Sequence, residues 1–264
     1  HGLPLIANGD WNDALNMVGD KGRGESVWLA QFLYYSLGEL RYILEKKNQA
    51  ALIERYEHVA ADLRRHVEAC HWDGRWFLRA FDDAAQPIGT HAETDGFIYL
   101  NTQTWAIIAG LGTADQHRQA LAAVDEYLEA EFGLANLYPP YSRYNPDIGI
   151  ISQFVPGHKE NGAIFSHATA FHLIARALSG DAEGMYRIYR KSLPSLRDQA
   201  AYKAEPYVYS QYCAAKPSPH AGEGAYHWLT GTPAWMFRAV LDYMLGVRPT
   251  DTGLRIDPCL PQHF

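Results

Sequence analysis

Apolar residues recur three or four positions apart along most of this 264-residue chain. Between residues 25 and 47 this spacing places the apolar side chains on one broad face, as in a helix that packs against a core. A second stripe runs from residue 49 to residue 69, and charged residues fill its opposite side. The pattern therefore predicts two consecutive amphipathic helices.

The same spacing, together with Gly, Thr and Pro at the boundaries, predicts five more helices. They cover residues 102–109, 113–132, 162–178, 181–193 and 232–245. The segment 70–89 carries the turn Asp73-Gly74 between aromatic residues and predicts a short hairpin, while residues 253–257 predict a strand. Two long segments, 136–156 and 202–224, are rich in Tyr and Pro and are predicted to be irregular.

Helices joined alternately by tight turns and by long loops are the building plan of an α/α toroid. The predicted fold class is all-α, a partial (α/α)6 barrel with a short hairpin and a terminal β-strand. Residues 1–250 are expected to form part of the barrel, and residues 251–264 to begin a β region. Because long loops in a compact domain usually carry function, we expect the site on the rim where they gather.

Composition excludes several classes of function. The net charge of −7 and the absence of a Lys/Arg run argue against a nucleic-acid surface. Three scattered cysteines form no metal or redox motif and indicate a reducing compartment. No run of about 18 apolar residues is present to span a membrane, and no signal peptide is visible. The 17 Tyr and 7 Trp suit sugar stacking, although a large helical core would use them too.

The stretch Gly9-Asp10-Trp11-Asn12-Asp13 has the composition of a sugar site. Its indole offers an apolar platform to a pyranose ring, and its two carboxyl groups can bind hydroxyls or transfer protons. We expect Trp11 to place Asp13 in an apolar pocket, where burial favours the protonated form. The alternative is a structural turn in which Asp10 or Asn12 bonds its own backbone and Trp11 fills the core.

Other polar residues are candidates for binding an anion or a sugar. Arg23 lies between two glycines, where an exposed guanidinium can pair with phosphate, or can simply be a surface residue. The polar run 157–162 precedes a predicted helix that contains His167, and Thr230-Gly231 precedes the last helix. A core histidine and an ordinary N-cap at Thr232 are the structural alternatives. In the second long loop, the candidates for sugar contacts are Glu205, Tyr207, Gln211 and Tyr212.

Taken in order, several blocks resemble glycoside hydrolase family 94, the cellobiose and chitobiose phosphorylases and their relatives. The run from Gly9 to Trp28 is most similar to the phosphorylase module of cyclic β-1,2-glucan synthases. The matching blocks are Gly9 to Asp13, Gly24 to Val27, Asn101 to Trp105, Lys159 to His167, Trp228 to Trp235 and Gly253 to Pro258.

The resemblance implies a fold, a reaction and a set of site residues. The fold would be the carboxy-terminal half of an (α/α)6 barrel. The reaction would be reversible, inverting phosphorolysis of β-glucosides or β-glucan oligosaccharides to α-glucose 1-phosphate. Asp13 would be the general acid, Trp11 would contact the glucosyl unit, and phosphate would be held by Arg23, His167, Thr230 and Gly231. We expect further sugar contacts from Asp10, Glu160, Glu205 and Tyr207.

The expected partners are a β-linked gluco-oligosaccharide and inorganic phosphate as co-substrate, with no cofactor and no metal. A bacterial cytoplasmic protein is expected, or one attached to the inner membrane through other parts of a cyclic glucan synthase. Two other functions stay open: an inverting hydrolase with Glu160 or Glu205 as base, and an inactive sugar-binding fragment. The stripe of Leu29, Phe32, Leu33 and Leu37 is expected to need a cover, either an amino-terminal part of the same polypeptide or a second copy.

Overall fold

The helices form an inner and an outer layer in the computed structural model, which describes residues 1–264. They are α1 (Val27–Lys46), α2 (Ala50–Cys70), α3 (Leu100–Ala109), α4 (Ala114–Ala123), α5 (Ser166–Leu178), α6 (Ala182–Ser192), α7 (Gln199–Tyr202) and α8 (Thr232–Arg238). Helix α1 packs against α3, α3 against α5, and α5 against α8, while α2, α4 and α6 each pack against one of these. This alternation confirms the predicted partial α/α barrel.

Burial separates the two layers. Every residue of α3 from Leu100 to Ile107 is buried, whereas α2 buries only Leu63 and Val67 among its 21 residues. A helix that is buried on all sides belongs to the inner layer, and a helix with one buried apolar stripe belongs to the outer layer. The indole of Trp105 joins the inner layer, because rings of α1, α5 and α8 lie around it at centroid distances of 5.2 to 6.3 Å.

Short antiparallel strands lead into the inner helices. They are β1 (Glu25–Ser26), β2 (Ala80–Phe81), β3 (Pro87–Ile88), β4 (Ile98–Tyr99), β5 (Glu129–Ala130), β6 (Gly133–Leu134), β7 (Leu137–Tyr138), β8 (Ile164–Phe165), β9 (Ser210–Cys213), β10 (Gly224–His227), β11 (Val247–Thr250) and β12 (Gly253–Ile256). Strand β2 lies between β1 and β3, β9 lies between β8 and β10, and the pairs β4–β7, β5–β6 and β11–β12 stand alone. Strands β1, β4 and β8 end where α1, α3 and α5 begin.

Three predicted helices differ from those observed. The predicted helix 113–132 becomes α4, followed by wider π-helical turns over Val124–Leu128 and then by β5. The predicted helix 162–178 begins only at Ser166, because the backbone of Ile164 and Phe165 pairs with β9 instead. The last helix, predicted over 232–245, is regular only to Arg238 and continues as π-helical turns over Ala239–Met244. The segment 202–224, predicted to be irregular because of its prolines, also contains β9.

The remaining elements follow the prediction closely. The expected hairpin after α2 is β2–β3, and the expected terminal strand is β12, paired with β11. Of the stripe expected to lack a cover, Leu29, Leu33 and Leu37 are half-buried, and Phe32 is 38% exposed. None of the helices combines the length and the apolar character that crossing a lipid bilayer requires.

Candidate active site

A buried ion pair shapes the loop that holds the two candidate acids. The carboxylate of Asp10 accepts hydrogen bonds from both terminal nitrogens of Arg79, from the hydroxyl of Ser26 and from the backbone N–H of Asn12. Neither side chain of the Asp10–Arg79 pair is exposed to solvent. The expected sugar contact of Asp10 is therefore wrong: every part of its carboxylate is already used inside the protein. The turn alternative holds for this residue.

Asn12 extends the pair into a network. Its side-chain oxygen accepts hydrogen bonds from Arg79 Nη2 at 3.0 Å and from Asn101 Nδ2 at 3.1 Å. Because that oxygen faces two donors, the amide nitrogen must point the other way, and it donates to Glu160 Oε2 at 2.8 Å. The network thus fixes one carboxylate oxygen of Glu160 through a residue that is itself fully buried.

Beside this network lies a cavity of about 430 Å³. It is open on one side, and residues from the first loop, the two long loops, the start of α5 and the segment before α8 meet in its wall. The lining residues are Trp11, Asp13, Ala14, Ile150, Phe154, Lys159, Glu160, Phe165, His167, Gln211, Leu229, Thr230 and Gly231. No group of three or more His, Cys, Asp or Glu side chains is arranged to hold a metal ion.

The two acids of the cavity differ in environment. Asp13 is exposed, so the structure does not show the expected burial of this residue in an apolar pocket. Glu160 is the enclosed acid: burial raises the pKa of its carboxyl group to about 7, the Asn12 hydrogen bond opposes this shift, and the nearby charge of Asp13 adds to it. The cation of the cavity is Lys159, whose Nζ lies 4.3 Å from the centroid of the Tyr226 ring.

Another part of the wall offers hydrogen-bond donors. His167 is the second residue of α5, and its Nδ1 faces the indole N–H of Trp11 at 3.4 Å. Burial lowers the pKa of His167 to about 4, so its ring is neutral near pH 7. Its Nε2 is buried without a partner in the protein and faces Gly231. Nearby, Thr230 Oγ1 accepts the backbone N–H of Thr232 at 3.1 Å, and Gly231 rather than Thr232 is the N-cap of α8.

Three predicted site residues lie outside the cavity. Arg23 is exposed, and its loop is held by Asp83, whose carboxylate accepts the backbone N–H of Arg23 at 2.8 Å. Glu205 and Tyr207 are also exposed and contribute nothing to the cavity wall. Tyr207 is 72% exposed, and its ring centroid lies 6.4 Å from that of Trp228. The structure thus does not bring Arg23, Glu205 and Tyr207 into the wall of this cavity.

Sequence reasoning missed the residues that support the site. Arg79 had a signal, since it is the single charge in the apolar run from Trp76 to Phe81, where a charge is buried only with a partner. Asn101 had none beyond its place in a matching block. Gln211 was one of four candidates in the second long loop, and it alone of that group lines the cavity.

Comparison with known proteins identifies the family. The model for the catalytic domain of the glycosyl hydrolase 94 superfamily matches residues 1–246. The chain belongs to glycoside hydrolase family 94. The resemblance of the sequence blocks to this family is therefore confirmed.

Curated relatives in family 94 include several phosphorylases. Solabiose phosphorylase of Paenibacillus borealis is 40% identical over all of this chain and 35% of its own length. N,N'-diacetylchitobiose phosphorylase of Vibrio proteolyticus is 34% identical over 97% of the chain and 32% of its own length. The cyclic β-(1,2)-glucan synthase of Rhizobium meliloti is 34% identical over the whole chain, which spans 10% of that protein. The chain thus spans about a third of the phosphorylases it matches.

Solved structures support the fold alone. A protein described as a sialidase superposes with a TM-score of 0.64 at 14% identity, over 98% of this chain and 23% of its own. A glycosidase in complex with glucose superposes with a TM-score of 0.53 at 13% identity, over 92% of this chain and 50% of its own.

The first prediction for this family 94 chain concerns the buried pair. Arg79→Met should lower the free energy of unfolding by about 3–5 kcal/mol, because it leaves the Asp10 carboxylate buried without its partner. Urea denaturation measures the change. Arg118→Met is the matched control, since Arg118 pairs with Asp115 on the surface, where both side chains are more than half exposed. A loss no larger than that of the control would contradict the structural role given to Arg79.

The second prediction concerns the pH dependence of stability. The folded state holds the Glu160 proton up to about pH 7, whereas an unfolded chain releases it near the ordinary value of 4.5. This group therefore stabilises the fold at low pH, and its contribution declines as the pH rises from about 4.5 to about 7. Glu160→Gln should remove that decline when unfolding curves are compared across the range.

Each variant must be compared with the wild type, because His167 changes the free energy of unfolding with pH in the opposite direction to Glu160. Its lowered pKa makes stability rise with pH between about 4 and 6.5. Glu54→Gln, on the exposed side of α2, is the control for loss of a single carboxylate. If Glu160→Gln and Glu54→Gln follow the same pH dependence, Glu160 does not have the enclosed environment described above.

Proposed function

We propose that the protein containing this chain catalyses reversible, inverting phosphorolysis of β-glucosides and releases α-glucose 1-phosphate. The observation that carries the proposal is the cavity itself. It brings one solvent-accessible carboxyl group, that of Asp13, together with a wall of neutral donors at His167, Thr230 and Gly231. A phosphorylase needs one acid and a place for phosphate, because phosphate is already an anionic nucleophile.

The residues support one sequence of bond changes. The Asp13 carboxyl group donates its proton to the glycosidic oxygen, and the bond from that oxygen to C1 of the glucosyl unit breaks. A phosphate oxygen attacks C1 from the opposite face, which inverts the configuration and forms the C1–O–P linkage. In synthesis, the Asp13 carboxylate takes the proton from the acceptor hydroxyl. Phosphate is the co-substrate, and no cofactor takes part in this proposal.

The glucosyl unit would lie between Trp11 and Glu160. The half-buried indole supplies an apolar surface for a sugar ring. Asn12 orients the carboxyl group of Glu160, which can then exchange hydrogen bonds with sugar hydroxyls. A bound sugar would also cover Asp13, supplying the enclosure that the protein alone does not provide.

The relatives support a β-linked glycoside as substrate without fixing its linkage. Their names include solabiose, N,N'-diacetylchitobiose and cellobionic acid phosphorylases, together with the cyclic β-(1,2)-glucan synthase. We propose a β-gluco-oligosaccharide as the substrate of this chain. Trimming of chain length within a cyclic glucan synthase is one such role, and any membrane attachment would then lie in other parts of that polypeptide.

Phosphate dependence separates this function from the hydrolase alternative, in which Glu160 would activate water. The test uses the whole polypeptide, a series of β-linked glucose disaccharides and nuclear magnetic resonance of the product. We expect cleavage only with phosphate present, and release of the α anomer of glucose 1-phosphate. Cleavage without phosphate that yields free glucose alone would overturn the proposal and favour the hydrolase.

Loss of the acid gives a second test. Asp13→Asn should lower kcat by at least about 100-fold, because general acid catalysis contributes that much or more. A donor with fluoride as leaving group needs little protonation, so its cleavage should be largely retained. Asp20→Asn is the matched control, an exposed aspartate in the same loop region outside the cavity. Normal turnover of ordinary glycosides by Asp13→Asn would exclude Asp13 as the acid.

A further inference from the structure

The contact between Trp11 and His167 constrains the chemistry of the imidazole. The indole Nε1 lies 3.4 Å from His167 Nδ1, and the two ring centroids are 5.9 Å apart. An indole N–H can only donate a hydrogen bond, so the nitrogen that faces it must be the acceptor. In a neutral imidazole only one nitrogen carries a proton. Nδ1 is therefore bare, and the proton resides on Nε2.

The Nε2 atom belongs to a side chain that lines the cavity. It is buried and has no hydrogen-bond partner in the protein. The space beside Nε2 borders Gly231, where an added Cβ would lie 3.8 Å from this nitrogen. A side chain at residue 231 would occupy that space. The Nε2–H can thus donate a hydrogen bond to a ligand oxygen that lies beside Gly231 and Thr230.

The surroundings keep the ring neutral as well as oriented. Burial is the cause that lowers the pKa of His167 to about 4. Phe165, Phe171 and Trp235 lie around Trp11 and His167, with ring-centroid distances of 4.4 to 6.0 Å. An aromatic enclosure of this kind disfavours an imidazolium, since a charged ring would lose its hydration. A second proton would also have to displace the indole N–H from Nδ1.

We propose that Trp11 is a positioning residue for phosphate: its indole N–H holds His167 as the Nε2–H tautomer, which donates one neutral hydrogen bond to the phosphate. The inference rests on the proposed phosphorolysis and deepens it. The Trp11 side chain thus contacts the sugar and also orients the His167 N–H that binds phosphate, the nucleophile of the reaction. His167 then binds phosphate through an oriented hydrogen bond and carries no positive charge.

A substitution that removes only the N–H tests this directly. In 3-benzothienylalanine, sulfur replaces the indole N–H while the two-ring shape is kept. Nitrogen-15 spectra of the imidazole should show proton on Nε2 and bare Nδ1 in the wild-type protein. With 3-benzothienylalanine at residue 11, we expect a second tautomer or the imidazolium to appear. A wild-type ring protonated on Nδ1, or an unchanged spectrum after the substitution, would overturn the proposal.

The kinetic test is a double-mutant cycle with His167→Gln. The glutamine amide can donate to phosphate whatever residue 11 does, because its nitrogen always carries protons. Removing the indole N–H should raise KM for phosphate at least about fivefold when His167 is present, the equivalent of one neutral hydrogen bond. KM for the sugar should change less, and in the His167→Gln background the effect on phosphate should largely vanish. Equal rises in both backgrounds would contradict the proposal.

The two readouts separate this inference from the proposed function. The spectra need no turnover, so they report the tautomer even if the protein performs no phosphorolysis. Absence of phosphorolysis together with the expected spectra would overturn the phosphate role and leave the tautomer assignment standing. Phosphorolysis together with an Nδ1–H ring would leave the function standing and refute the role of Trp11.

Discussion

The site depends on the buried pair of Asp10 and Arg79. Taking two charges out of water costs more than their attraction returns unless the remaining donors and acceptors are satisfied. Here Ser26 and Asn12 satisfy them, and each comes from a different part of the chain. The pair therefore joins the first loop to the start of α1 and to the segment before β2. Trp11 and Asp13 alternate with Asp10 and Asn12 along that loop, so fixing the even positions inside leaves the odd positions facing the cavity.

Three titratable residues that line the cavity have different electrostatic environments. Asp13 is exposed to solvent, Glu160 is enclosed and held by Asn12, and burial keeps His167 neutral near pH 7. This division follows from the fold, because the strands that precede the inner helices deliver loop residues and first-turn residues to one rim. His167 reaches the cavity because β8 delays the start of α5 to Ser166.

Periodicity predicted the long helices well and the short elements poorly. Helices α1, α2 and α6 were placed to within about two residues because each has a clear apolar stripe, a feature that propensity and spacing report reliably. The two-residue strands depend on partners far away in the chain, and no local pattern encodes them. Family motifs placed Trp11, Asp13, Glu160, His167 and Thr230-Gly231 at the cavity. The motifs did not place Arg23 correctly relative to this cavity. The sequence Gly22-Arg23-Gly24 does not show which way the loop faces, and in the structure Asp83 holds the loop outside the cavity.

The proposed phosphorolysis requires phosphate to bind beside His167, Thr230 and Gly231 in the cavity that Asp13 also lines. A crystal structure of the whole protein grown with phosphate and glucose tests it most directly. We expect a phosphate within hydrogen-bond distance of His167 Nε2, Thr230 and the backbone of Gly231, with glucose between the phosphate and Asp13. Phosphate bound instead at Arg23, or on the same side of the sugar as Asp13, would contradict the proposed phosphate site.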